Sequence, residues 1–268
     1  GIRDYGSSLG LGDVYKRQGY FKSGKPYQNK NVLVFGTGTS SHDVCQDLHA
    51  NGANVTMVQR SPTMIVNLEP SAQLPYALYQ EGPSTDDCDL IAISSPLSVL
   101  KKTHQILTKQ SKKLDSKLLK KLEKIGFVLD YGEDNTGWQF KYLTRGGGYY
   151  FNVGASNLVA DQKIKLIQFS DIKEFLSDGI IHNSKKLKYD SFVFATGYKG
   201  QEYMVKKFFG NEVANKVGRI WNFNSKKQEL NNMFVKTNQQ GLWFIAGSLA
   251  QCRIFSKYLS FQISKEIK

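Results

Sequence analysis

The chain has 268 residues, 40% of them hydrophobic and 22% charged, enough to bury one large core or two smaller ones. Its formal net charge of +13 speaks to solubility and loose attraction to polyanions rather than to a specific task. No apolar run approaches the ~20 residues of a membrane span, no charged-then-apolar leader opens the chain, and Cys45, Cys88 and Cys252 are odd in number, widely spaced and without a CxxC pair, so we expect a soluble, cytosolic protein with reduced thiols and no metal.

Residues 1–18, GIRDYGSSLGLGDVYKRQ, mix small and charged residues without a period and resemble translated adaptor or linker sequence, a non-native or disordered leader to be set aside; a flexible native loop is the alternative. Residues 19–29 are a turn-rich linker. From Asn31 to Phe35 the chain turns branched and apolar, the mark of a short buried strand. A glycine turn follows in which Gly36, Gly38 and Ser41 occupy the G-x-G-x-x-G/A positions, and His42–Ala50 then carries helical spacing through Val44, Cys45 and Leu48. Such a turn binds a dinucleotide for physical reasons. The first glycine permits the tight bend, the second lets backbone approach a pyrophosphate, and the third small residue lets the helix pack on the strand, while free N–H groups at the helix start face the phosphates. Thr39 and Ser40 add hydroxyls that can cap the helix or bond a phosphate oxygen.

A second strand, Asn54–Gln59, completes the βαβ order that the motif needs. At its end, where an NAD site would carry Asp or Glu for the ribose 2′-hydroxyl, stand Gln59, Arg60 and Ser61, with Thr63 close by. A guanidinium suits a 2′-phosphate, which an acidic residue would repel, so the expected nucleotide is NADPH.

Between residues 71 and 134 lies a lysine-rich helical insertion. Leu107, Leu114, Leu118, Leu122 and Ile125 recur at helical spacing among Lys109, Lys112, Lys113, Lys117, Lys120 and Lys121, an amphipathic helix read as a solvated lysine face over a buried leucine stripe. A membrane-surface or nucleic-acid helix is the alternative, but no aromatic residues interleave the lysines to stack on bases, and no nucleic-acid partner is expected. Gly146–Gly148 runs into the strand-like Tyr149–Phe151 and reads as a hairpin turn or a close-approach loop. Further on, Phe192–Ala195 is a buried strand ending at Thr196-Gly197, and Leu242–Ala246 reads as another, followed by Gly247-Ser248 and a helix carrying Ile254, Tyr258, Phe261 and Ile263. That helix start could stabilise negative charge or be a structural crossover. His42 is expected to be exposed beside the phosphates, and no role is assigned to it, His49, His104 or His182.

GTGTSSHDVCQDLHANGANVTMVQRSPT, with DSFVFATGY at 190–198 and GLWFIAGSLAQCRIFSKYL at 241–259, resembles the flavin-containing monooxygenase family, including its indole-pyruvate monooxygenase-like branch, from about Gly19 onward. Thr39 stands where that family usually has Asn, Ser41 replaces Ala or Gly, and the family's FAD glycine fingerprint and its F-x-G-x-x-x-H signature are missing; Gly10-Leu-Gly12 has no strand before it. The resemblance implies an α/β fold: a Rossmann-type NADPH-binding domain over 30–187 that includes the insertion, then the C-terminal part of an FAD-binding domain over 188–268. It also implies that Thr196, Gly197, Tyr198, Gly247 and Ser248 lie on the flavin side. The implied chemistry is hydride transfer from NADPH to FAD, capture of molecular oxygen as a C4a-hydroperoxide, and oxygenation of a small nucleophilic or carbonyl substrate, by a chain that is incomplete and inactive alone. A flavoprotein reductase and a non-catalytic basic NADPH- or nucleic-acid-binding module stay open beside it.

Overall fold

The structure is a computed structural model that describes residues 15–17, 20–224 and 226–267; Gly10 and Gly12 lie outside the described residues. Along the chain, β1 (Tyr15–Arg17) precedes β2 (Asn31–Phe35), α1 (Thr39–Ala50), β3 (Asn54–Gln59) and β4 (Met64–Asn67). The helices α2 (Ala77–Glu81), α3 (Thr85–Ser94), α4 (Leu97–Leu114), α5 (Ser116–Lys124) and α6 (Gly137–Arg145) follow. Next come β5 (Tyr149–Asn152), α7 (Ala155–Ala160), β6 (Lys165–Gln168), β7 (Ile172–Leu176), β8 (Gly179–His182), β9 (Lys185–Lys188) and β10 (Ser191–Phe194), then α8 (Gln201–Val217) and α9 (Leu249–Ile267).

One compact unit holds residues up to 77, 102–141 and 147–197. Its main sheet runs β1-β10-β2-β3-β6 with every pairing parallel, an α/β arrangement of the Rossmann type. Parallel strands need crossovers over a sheet face, so a central strand is buried on both sides. The alternation along β2 shows this directly. Val32 and Val34 pack with Val44, Cys45 and Leu48 of α1 and with Leu118 and Leu122 of α5, whereas Leu33 and Phe35 join Val58, Phe192 and Ile180 of the antiparallel β7-β8-β9 sheet. Because β10 sits between β1 and β2, the unit runs past the boundary expected at 187/188, and the division falls between Gly197 and Tyr198. Residues 15–17 of the expected leader form the edge strand beside β10.

The single amphipathic helix expected through Leu107–Ile125 is two helices broken at Asp115. Its buried carboxylate accepts hydrogen bonds from the backbone and side-chain amides of Asn67 at 2.9 and 2.7 Å and from Ser71 Oγ at 2.7 Å, which ties the insertion to the end of β4. The stripe shifts accordingly: Leu118 and Leu122 are buried, Leu114 is half exposed, and α4 buries His104, Thr108 and Ser111. Lys109, Lys113, Lys117, Lys120 and Lys121 project into solvent, and the Lys112 ammonium lies 3.7 Å from the centre of the Tyr131 ring. The Gly146–Gly148 triplet is a helix-to-strand turn, since it delivers the chain from α6 into β5, which pairs parallel to β4.

The other unit holds 78–101, 142–146 and 198–268, with a core of Val205, Val217, Ile220, Met233, Phe234 and Leu259. Part of the expected insertion therefore clusters here rather than with the glycine turn. The reason is a charged clasp: Arg253 of α9 donates through Nε and Nη2 to Asp89 of α3 at 2.9 and 2.5 Å, and the Tyr79 hydroxyl donates to the same carboxylate at 2.9 Å. Hydrogen bonding to Arg253 holds the Asp89 carboxyl below its usual range. Leu242–Ala246 is irregular instead of the expected strand. No ladder neighbour pairs with it among the described residues, and its backbone bonds locally, with Leu242 N–H on the Gln239 carbonyl at 3.2 Å and the Phe244 carbonyl on Phe234 N–H at 3.0 Å. Among the described residues, no helix is long and apolar enough to cross a membrane.

Candidate nucleotide-binding site

β2 ends at Phe35 and the chain turns at once. Gly36 has φ +124°, and a Cβ there would lie 2.4 Å from the Ala195 carbonyl oxygen at the end of β10, so only glycine fits. Gly38 is different. Its φ of −84° and ψ of −173° are open to any residue, and a Cβ there would meet no atom within 4 Å. The fold itself does not ask for glycine at 38; open space in front of it does.

Thr39 begins α1, and the first N–H groups of a helix have no partner inside it. Thr39 and Ser40 are exposed, and Thr39 Oγ1 reaches the Tyr149 carbonyl at 3.5 Å. Ser41 is fully buried, its Oγ donating to the Gly38 carbonyl at 2.8 Å, so a hydroxyl takes the third small position without disturbing the packing of α1. The same carbonyl accepts from His42 N–H and from His42 Nδ1, each at 3.1 Å. The expected exposure of His42 is corrected here: the ring is fully buried and stacks on Tyr150 with centroids 4.0 Å apart and planes 10° from parallel. It is large and flat enough to fill the gap between α1 and β5. Burial pulls its pKa down to about 4. His104 is likewise buried, edge-on to Phe140, with its pKa pulled down to about 4.

At the end of β3 a buried polar network fixes the adjoining loop. Gln59 Oε1 accepts from Val128 N–H at 2.8 Å and from Gln168 Nε2 at 3.0 Å, while Gln59 Nε2 donates to the carbonyls of Val128 at 2.9 Å and Ser61 at 3.3 Å. Thr63 is buried; its Oγ1 donates to the Ser61 carbonyl at 3.3 Å and lies 2.6 Å from Thr37 Oγ1, joining this loop to the glycine turn. On that support Arg60 and Ser61 stand exposed, and Arg60 has no ion pair or hydrogen bond among the described residues. Sequence reasoning placed Gln59 at the end of the second strand without a role for it and passed over Thr37, a polar residue between the two glycines of the turn.

The remaining expected residues lie elsewhere. Thr196 is half-buried and Gly197 exposed with φ +83°, the last residues of the first unit, while Tyr198 opens the second and is 76% exposed. Ser248 caps α9: its Oγ accepts from Gln251 N–H at 3.2 Å, and Gln251 Oε1 accepts from Ser248 N–H at 3.2 Å and from the Tyr142 hydroxyl at 2.6 Å. This is a capping box, legible as S-x-x-Q at 248–251. Gly247, with φ +114°, would bring a Cβ to 2.3 Å from Gln251 Oε1. Among the described residues no group of three His, Cys, Asp or Glu side chains could hold a metal ion.

A parallel sheet, a glycine turn open at its second glycine and a helix start make up a unit of the Rossmann type. No family model matches the chain. Among curated proteins it is 31% identical over 205 residues to "Probable indole-3-pyruvate monooxygenase YUCCA3" of Arabidopsis thaliana and 30% identical over 204 residues to "Probable indole-3-pyruvate monooxygenase YUCCA7" of the same plant, each match covering 74% of this chain. Those matches cover 39% and 40% of the relatives, so the chain spans about two fifths of their length. Among solved structures, a mutant flavin monooxygenase from Stenotrophomonas maltophilia aligns over 96% of this chain and 58% of its own, with TM-score 0.50 and 8% identity, a likeness of fold. The curated relatives are thus named as probable indole-3-pyruvate monooxygenases and the solved structure as a flavin monooxygenase, in line with the resemblance in the motifs.

Proposed function

We propose that this chain is the NADPH-binding part of a flavin-dependent monooxygenase, with the pyrophosphate received at Gly36–Ser41 and the 2′-phosphate at Arg60. The observation that carries the reading is Gly38, where ordinary backbone and empty space around the missing Cβ leave a ligand as the reason for glycine. Arg60 supports the choice of NADPH, because an exposed guanidinium without a partner among the described residues is available to a phosphate. Bound NADPH would supply a hydride and FAD the redox chemistry with molecular oxygen by which such an enzyme would oxygenate a small nucleophilic or carbonyl substrate.

The described residues do not make an FAD site on their own. Ser248 N–H and Oγ are committed to the cap of α9, and the sequence holds one strand–glycine–helix fingerprint where two nucleotides would need two. We infer that the FAD pyrophosphate is gripped by a second fingerprint, distinct from the Gly36–Ser41 turn. Replacing Arg60 by Ala should weaken NADPH binding by ~1.5–3 kcal/mol, the range for a hydrogen bond to a charged group, and leave NADH nearly unaffected. Titration of both nucleotides by calorimetry tests this, and equal losses for the two would overturn the 2′-phosphate assignment. Oxygen uptake coupled to substrate oxygenation, in a protein that includes the FAD fingerprint, separates a monooxygenase from a reductase.

A further inference from the structure

We propose that His42, with Ser41, is a positioning residue of the pyrophosphate site: the two side chains hold the Gly38 carbonyl inward and so aim the Thr39 amide outward at the phosphates. This rests on the NADPH reading above. The Gly38 carbonyl accepts from three donors, His42 N–H at 3.1 Å, His42 Nδ1 at 3.1 Å and Ser41 Oγ at 2.8 Å. The first is the ordinary bond of a helix, and the other two are added by side chains. The Gly38–Thr39 peptide is trans, so its C=O and N–H point in opposite directions, and fixing one fixes the other. Gly38, having no side chain, would otherwise let this peptide rotate more freely than any other residue would.

The chemistry of the imidazole argues that the bond is its purpose. A carbonyl only accepts, so Nδ1 carries the proton and Nε2 is bare; Nε2 is buried and has no hydrogen-bond partner among the described residues. Leaving a buried polar atom unsatisfied costs stability, and a phenylalanine could stack on Tyr150 in the same space without that cost. What phenylalanine could not supply is the Nδ1–H. Burial also keeps the ring neutral near pH 7, so His42 acts by direction and not by charge.

The test uses the full chain with two probes: NADP⁺, which carries the pyrophosphate, and 2′-AMP, which lacks it and engages only the Arg60 end. His42→Phe keeps an aromatic ring without the donor, His42→Asn restores a donor without the ring, and Ser41→Ala removes the second donor alone. We expect His42→Phe to weaken NADP⁺ about tenfold with 2′-AMP unchanged, His42→Asn to recover most of that loss, and Ser41→Ala to cost severalfold on NADP⁺ only. Should His42→Phe fail to fold, Ser41→Ala and His42→Asn still decide. NADP⁺ affinity unchanged in the donor-less variants, or lost in parallel with 2′-AMP, overturns the positioning role. A wild-type chain that binds 2′-AMP but not NADP⁺ overturns it too, and one that binds neither removes the NADPH reading beneath it.

Discussion

The two glycines of the turn should separate folding from binding when each is replaced by alanine. At Gly36 the new Cβ meets the Ala195 carbonyl oxygen at 2.4 Å, about an ångström inside ordinary contact, and φ of +124° is a region that L side chains rarely adopt. Backbone strain of this kind costs on the order of 1–3 kcal/mol, and pushing back the end of β10, a strand central to the sheet, adds to it, so Gly36→Ala should lose about 3 kcal/mol or more. That is a large part of the 5–15 kcal/mol typical of a domain. At Gly38 the Cβ meets nothing within 4 Å and the backbone is already suitable, so Gly38→Ala should change stability by less than about 1 kcal/mol, the entropy lost by the unfolded chain offsetting the poorer N-cap that alanine makes. Its NADP⁺ affinity, in contrast, should fall by about tenfold or more, and Gly38→Val should abolish binding while the fold persists. Urea denaturation followed by circular dichroism gives the stabilities, and calorimetry gives the affinities. If Gly38→Ala bound NADP⁺ like the parent, the turn would be only a connection. If it unfolded as readily as Gly36→Ala, the open space would have been misread.

Two further outcomes follow from buried polar groups. His42 and His104 titrate near 4 when folded and 6.5 when unfolded, so between those values the unfolded chain holds more protons; stability should be level above pH 6.5 and fall towards pH 4 by on the order of 3 kcal/mol per histidine. Melting curves across that range check it, and a melting temperature that does not drop on acidification contradicts it. Asp115→Ala strands the donors of Asn67 and Ser71 and should cost about 3 kcal/mol, with NADP⁺ affinity unchanged in the folded protein because the carboxylate bonds only to the end of β4 and to Ser71.

The strand, glycine turn and helix were legible because their determinants are local: the apolar run of β2, the glycines and the helix period of α1 lie within twenty residues and each carries its own signal. The place of Arg60 was legible for the same reason, one step beyond a recognisable strand. The breaks came where a distant partner decides. Asp115 interrupts a smooth leucine period because Asn67 and Ser71 offer its carboxylate three hydrogen bonds, and periodicity registers neither. Leu242–Ala246 has a strand's composition, but a strand also needs a neighbour, and none pairs with it among the described residues. His42 looked exposed from its place in the first helical turn; Tyr150, more than a hundred residues away, puts it in the core.

The same distinction explains why this turn tolerates a departure at its third small position and none at its first. Gly36 is fixed by something outside the motif, the carbonyl at the end of β10, which no change within the turn can move. Position 41 lies beside Gly36, and a Cβ at Gly36 would stand 3.4 Å from Ser41 Oγ, an ordinary contact. The serine therefore fits without crowding the first glycine, and its hydroxyl gains the Gly38 carbonyl as acceptor. A fingerprint of glycines is therefore a set of coupled distances rather than a set of letters. Here the distances that face β10 are set by the fold, and the one that faces open space, at Gly38, is not.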